Sequence, residues 1–252
     1  MSDTSTAGNR DWLNVAATLT EDLGLGSAPV QVSYLDKAPA GGLTNAAPAP
    51  SVCTFFAAGR QSAFVAPKAA HGSCEVGAYV FGMTPEGELG ARLMSTVGWM
   101  ESQEYLAPNE AAKIPHNPSA PEFVAYGPLG TLGVSPTVVL MFVRAKSLML
   151  VVEAAARGWP DRPAPPMLSR PMCSLVPVLR GGVPVAVSVG CAGSRVYTQM
   201  GDEELVVGVA GDSLGTFAEA VRSVVRSNAE VSKFNRGRKE SFGPEASPAS
   251  GS

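Results

Sequence analysis

The chain is poor in charge and nearly without histidine. Only 16% of its 252 residues are charged and two are His, which leaves little material for a Ser–His or Cys–His catalytic pair. No G-x-S-x-G elbow is present. The absence of C-x-x-C removes the motif of a thioredoxin-like redox site, and short C-x2-4-C zinc knuckles are missing too. The glycine-rich stretch Gly208-Val-Ala-Gly-Asp-Ser-Leu-Gly215 lacks a Walker lysine and the G-x-G-x-x-G spacing, leaving only helix N-terminal amides for an anion. No apolar run approaches the roughly 20 residues of a membrane helix. The polar start Met1-Ser-Asp-Thr-Ser-Thr-Ala-Gly8 does not read as a secretory signal. A formal charge of −3 and a pI near 5.5 argue against the basic face that nucleic-acid binding demands. The expectation is a cytoplasmic protein with neither nucleic acid nor membrane as partner, its homo-oligomeric state left open.

What is present is a globule. Hydrophobic residues make up 45% of the chain, and 27 Gly with 21 Pro indicate many tight turns rather than a helical bundle. Apolar spacing predicts a helix over 11–23, with Leu13, Ala16, Leu19 and Leu23 on one stripe. Residues 29–35 alternate as a half-buried strand with Val30, Val32 and Tyr34 on one face, and 38–50 read as a long loop. Residues 87–105 carry helix formers. A β-branched run over 137–143 predicts a fully buried strand, leading into a helix over 145–157 closed by Gly158. Val183 to Val189 alternate as a strand, and Pro184 marks it as an edge. A last strand over 205–210 precedes a helix striped by Phe217, Val221, Val224 and Val225, with Val231 as its further candidate. The fold class is therefore α/β, a mixed sheet with helices. A disordered N-terminus over 1–10 and a disordered tail over 241–252 flank one domain over 11–240.

Two segments echo each other. Cys53-Thr-Phe-Phe-Ala-Ala-Gly-Arg60, a strand-like Ala63-Phe-Val-Ala-Pro67 and Gly72-Ser-Cys-Glu-Val-Gly77 form the first. Cys173-Ser-Leu-Val-Pro-Val-Leu-Arg180, Val183-Pro-Val-Ala-Val-Ser-Val189 and Gly190-Cys-Ala-Gly193 form the second. Each opens with a cysteine followed by a small hydroxyl residue and an apolar run, and carries an arginine seven positions on. Each closes on a second cysteine beside glycines. Chance likeness between two buried strands is the bland explanation. A duplication instead implies two similar halves, about 11–125 and 126–240, related by a pseudo-twofold.

The four cysteines, Cys53, Cys74, Cys173 and Cys191, are then the residues to explain. Free cysteine is commonly core filling. Four converging thiolates, however, repel too strongly to stay ionised without a cation between them, which points to a metal or an iron–sulfur cluster. Ligands scattered along the chain suit a cluster, for instance of the four-iron, four-sulfur kind, better than zinc. His71, three residues before Cys74, is the one nitrogen candidate. As lone histidines, His71 and His116 are otherwise expected to be solvated loop residues. Arg195, with Gly193, Arg60 and Arg180, forms the candidate anion or substrate set, since a guanidinium beyond a glycine turn holds a carboxylate or phosphate by two bonds. The bland role of Arg195 is an ion pair with Asp202, Glu203 or Glu204.

At these residues the chain resembles the domain of unknown function 169 family, a group from bacteria and archaea. Cys53 to Arg60, Cys74-Glu-Val-Gly77 with Gly82, the strand over 137–143, Cys173, Ser188-Val-Gly-Cys-Ala-Gly-Ser-Arg195 and Asp202-Glu-Glu-Leu-Val-Val-Gly208 carry the likeness. It spans about 11–231 and is loose around 84–125. It implies a shared fold and cysteine constellation and no particular activity. The expectation is a cytosolic protein binding an iron–sulfur cluster or other thiophilic metal on four cysteines, beside a pocket for an anionic small molecule. Whether it is an enzyme stays open. The alternative is a metal-free small-molecule-binding or regulatory module with buried, reduced cysteines.

Overall fold

A computed structural model describes residues 4–39, 42–85, 88, 89, 91 and 113–242. The first set of elements is α1 (Thr4–Leu23), β1 (Val30–Leu35), β2 (Thr44–Asn45), α2 (Val52–Gly59), β3 (Phe64–Pro67), a 3-10 turn (Lys68–His71), α3 (Glu75–Val80) and β4 (Phe123–Pro128). The second is β5 (Val138–Arg144), α4 (Ala145–Gly158), β6 (Met167–Leu168), a 3-10 turn (Met172–Ser174), α5 (Leu175–Arg180), β7 (Val185–Ser188), α6 (Ala192–Thr198), β8 (Glu204–Ala210), a 3-10 turn (Gly211–Ser213) and α7 (Leu214–Phe242).

The β-branched run forms β5, buried on both faces because both are covered. Val138, Leu140 and Phe142 pack with side chains of α2 and α5, whereas Val139, Met141 and Val143 pack with α1, α4 and α7. The result is an α/β fold with helices on either side of one mixed sheet. β1 departs from its half-buried expectation. Its polar residues Gln31 and Ser33 are buried as well, and the loop after β4 satisfies them: Gln31 Nε2 donates to the Val134 carbonyl at 2.7 Å and Ser33 Oγ to the Ser135 carbonyl at 2.9 Å.

The eight-stranded sheet has the order β2-β3-β4-β1-β5-β8-β7-β6. From either edge, the pairing runs through one parallel step, β2 to β3 or β6 to β7, and then antiparallel steps to the centre, where β1 meets β5. Both outermost strands are only two residues long, which leaves little exposed edge to template aggregation. β7 is thus an interior strand rather than the expected edge. Pro184 lies just before it and loses no ladder bond, its carbonyl accepting the Ala210 N–H at 3.0 Å.

The echo is one of element order. In each copy the apolar run after the first cysteine is a helix (α2, α5), the strand-like stretch is a strand (β3, β7), and the second cysteine N-caps a short helix (α3, α6). Helix and sheet fit by opposite choices of small residue. A Cβ at Gly59 of α2 would stand 2.9 Å from Val30 Cγ1 on β1 and 3.4 Å from Tyr126 Cβ on β4, whereas on β8 one at Gly208 would stand 2.6 Å from Leu179 Cδ1 of α5. β4 runs through the expected boundary at 125/126, and the passage to the second set of strands falls in 129–137.

Other expectations shift at their ends. α1 begins at Thr4, inside the segment expected to be disordered, and Leu13 lies 46% exposed off the buried stripe. The loop over 38–50 contributes β2. Gly158 ends α4 inside the helix, and Trp159 rather than a left-handed glycine caps it. α7 continues to Phe242, and Val231 lies exposed, beyond the last buried residue of the stripe, Val224. Most of the helix expected over 87–105, and residues 243–252 of the tail, lie outside the described residues.

Candidate functional site

All four cysteines line one cavity of about 310 Å³. Each sits at the start of a helical element. Cys53 is the second residue of α2, Cys173 lies in the turn that leads into α5, and Cys74 and Cys191 are the N-caps of α3 and α6. The two cysteine-bearing segments cross over to build the site, because α2 packs on α6 and α3 on the turn carrying Cys173. Four helical starts therefore meet at the cavity, and one of their main-chain amides, that of Ser194, is directed at a sulfur.

The thiols fall into two classes. Cys53 and Cys173 are buried, and Cys74 and Cys191 are half-buried. Burial pushes the Cys53 thiol up to about 12; the Ser51 hydroxyl opposes that, and charge on Cys191 or Cys74 adds to it. Burial likewise pushes Cys173 well above the ordinary thiol range, reinforced by Cys53, Cys74 and Cys191. In the absence of a cation the inner pair is protonated at neutral pH, and charge on the neighbouring thiols makes Cys53 and Cys173 harder still to ionise.

Local bonds fix the sulfurs. Ser51 caps α2, its Oγ accepting the Cys53 N–H at 3.2 Å while standing 3.7 Å from Cys74 Sγ. The Ser194 N–H donates to Cys191 Sγ at 3.4 Å, and the Cys191 N–H donates to Ser194 Oγ at 2.8 Å, a reciprocal cap. α3 approaches α2 through Gly77, where a Cβ would collide with Val52 and stand 2.8 Å from Cys74 Sγ. Pro50, Val76, Pro171, Met172 and Tyr197 give the cavity an apolar wall. Among the described residues Glu75 is the one carboxylate that lines it, and no Lys, Arg or His does. Beside both inner cysteines, at matching places in the echo, the hydroxyls of Thr54 and Ser174 are buried with no hydrogen-bond partner among the described residues.

Of the anion set, Gly193 alone lines the cavity. Arg195 donates to the Val189 carbonyl at 2.9 Å and to the Gly201 carbonyl at 3.1 Å, stitching the two ends of the α6 loop together instead of pairing with Asp202, Glu203 or Glu204. Arg60 donates to Ser27 Oγ at 2.9 Å, and Arg180 to Asn117 Oδ1 at 2.7 Å. His71 is a core histidine, not a solvated one. Its Nδ1 lies 3.1 Å from the Pro67 carbonyl and its Nε2 2.9 Å from the Tyr126 hydroxyl. A carbonyl only accepts, so Nδ1 carries the hydrogen and Nε2 accepts from Tyr126, leaving no nitrogen for a metal. His116 is half-buried against Tyr79, ring centroids 4.7 Å apart.

Among the described residues, no group of three or more His, Cys, Asp or Glu is placed to hold a metal ion. The four cysteines share the lining of one cavity. Sequence reasoning missed Ser51, Ser194 and the apolar wall. Ser194, three residues after Cys191, had the spacing of a capping box, and Ser51 preceded an apolar run as an N-cap does.

Nothing matches among curated proteins or solved structures. One family model does match, over residues 18–220, and its description reads uncharacterised ArCR. With most of its length covered, from α1 to the first turns of α7, the chain belongs to the domain of unknown function 169 family.

Proposed function

We propose that the cavity holds an iron–sulfur cluster on Cys53, Cys74, Cys173 and Cys191, in a protein whose two similar halves arose by duplication. The observation that carries the reading is that every cysteine of the chain lines one cavity, two from the β2–β4 segment and two from the β6–β8 segment. The matching connectivity of those segments supports the duplication.

Ligands drawn from four separate segments of the chain suit a cluster better than a lone ion. Ligands of one zinc must crowd to within about 4 Å of each other, whereas a cubane spreads its thiolates to about 6–7 Å. Such a group, once bound, supplies electron transfer or Lewis acidity. The chain's own residues do the rest. With no cationic side chain among the described lining residues, the Ser194 N–H on Cys191 and the Ser51 hydroxyl beside Cys74 are the polar hydrogens that offset thiolate charge. Pro50, Val76, Pro171 and Met172 limit water around the sulfurs, which tunes the potential of such a centre. An anionic small molecule beside the cluster would find main-chain amides near Gly193 rather than a guanidinium.

Anaerobic purification followed by visible absorption, iron and sulfide assays tests the reading. A brown protein with broad visible absorption and bound iron and sulfide supports it. A colourless protein that stays metal-free after anaerobic reconstitution, with four thiols, overturns it in favour of a small-molecule-binding or regulatory module.

A further inference from the structure

Resting on that reading, we propose that Ser51 is a positioning residue that tunes the centre by donating its hydroxyl hydrogen to the Cys74 sulfur. Ser51 is buried, 6% exposed, and lines the cavity. Its Oγ already accepts the Cys53 N–H at 3.2 Å, so the cap fixes the oxygen while leaving the hydroxyl hydrogen to go elsewhere. Cys74 Sγ stands 3.7 Å from that oxygen. A ligated thiolate can only accept, so the hydrogen in this contact belongs to Ser51. One hydroxyl thus ties the helix that carries Cys53 to the sulfur of Cys74.

The device is one-sided. Two residues before Cys173, where the echo places the counterpart of Ser51, stands Pro171, which has no hydroxyl. Cys191 takes a main-chain N–H from Ser194 instead. Adding an electron to a cluster increases the negative charge on its sulfurs, so a donor to sulfur stabilises the reduced state more than the oxidised one. Losing the Ser51 hydroxyl should therefore lower the reduction potential, while losing a main-chain donor is not open to side-chain substitution.

Two variants test the role. Ser51→Gly removes the hydroxyl but keeps a residue that caps helices well, and Ser51→Thr restores the hydroxyl. In reconstituted protein, Ser51→Gly is expected to shift the reduction potential negative and Ser51→Thr to return it to the wild-type value. In metal-free protein the S–H stretching band of Cys74, assigned by its loss in Cys74→Ser, is expected to move in Ser51→Gly and not in Ser51→Thr. Cluster uptake with potential and band both unmoved in Ser51→Gly overturns the Ser51 role alone. No uptake by the wild-type chain, with the band still moving, overturns the cluster reading and leaves the Ser51–Cys74 contact standing.

Discussion

The Arg60 guanidinium lies over the ring of Phe142, 4.4 Å from its centroid. Arg60 follows α2, and Phe142 belongs to β5, a central strand of the other half. Arg180, at the end of α5, lies likewise over Tyr34 of β1, at 4.8 Å. Each arginine of the echo thus reaches across the middle of the sheet onto the opposite half. These contacts fasten the halves that share the cavity. A double-mutant cycle of Arg60→Ala and Phe142→Leu, read by urea unfolding, is expected to give a coupling of about 0.5–2 kcal/mol. Strict additivity would deny the contact any energetic role.

Gly208 and Leu179 offer a test of the helix–sheet fit. Gly208→Ala puts a methyl against Leu179 Cδ1 in a buried layer, which is expected to destabilise the fold by about 1–3 kcal/mol. Shortening the neighbour with Leu179→Val in the same chain is expected to recover part of that loss. No recovery would place the strain elsewhere.

His71 makes the fold sensitive to acid. Burial pushes its imidazole down from 6.5 to about 4, against the pull of the Pro67 and Lys68 main chain. As pH falls below about 6.5 the unfolded chain takes up this proton first, so stability falls progressively until about 4, where the folded imidazole protonates too. Across that window the loss from this one group is about 3 kcal/mol. Denaturant melts at pH 7 and pH 4.5 are expected to show a smaller difference in His71→Gln than in the wild type. An equal difference in both would mean that His71 does not titrate in this way.

Loading of the cavity should depend on pH in the opposite direction from an anion-binding site. Cys53 and Cys173 are held protonated by burial, and ligation needs them as thiolates. Uptake of iron and sulfide is therefore expected to release protons and to weaken as pH falls. Gly77→Ala, which would crowd Cys74 Sγ, is expected to lower occupancy at every pH, measured as iron per chain.

Much of the frame was legible because it rests on local pattern. The apolar run of β5, the helix that follows it and the recurrence of cysteine, helix and strand are written in consecutive residues. What was not legible depends on partners far along the chain. Gln31 and Ser33 looked solvent-facing, yet carbonyls more than a hundred residues away satisfy them. His71 looked like a spare ligand until Tyr126, 55 positions on, took its second nitrogen. Arg195 looked free for a substrate, but two loop carbonyls occupy its guanidinium. The echo set the cysteines in two matching pairs, whereas the helix crossing that brings all four onto one cavity is a tertiary fact.

The most direct test of the site compares iron and sulfide content across four single variants, Cys53→Ser, Cys74→Ser, Cys173→Ser and Cys191→Ser, each reconstituted anaerobically beside the wild type. The expected result is a loaded wild type and a marked loss in all four, the inner and outer cysteines alike, with folding preserved in the metal-free proteins. Loading that survives loss of either cysteine from one segment, or that never occurs in the wild type, would contradict a single four-thiol centre.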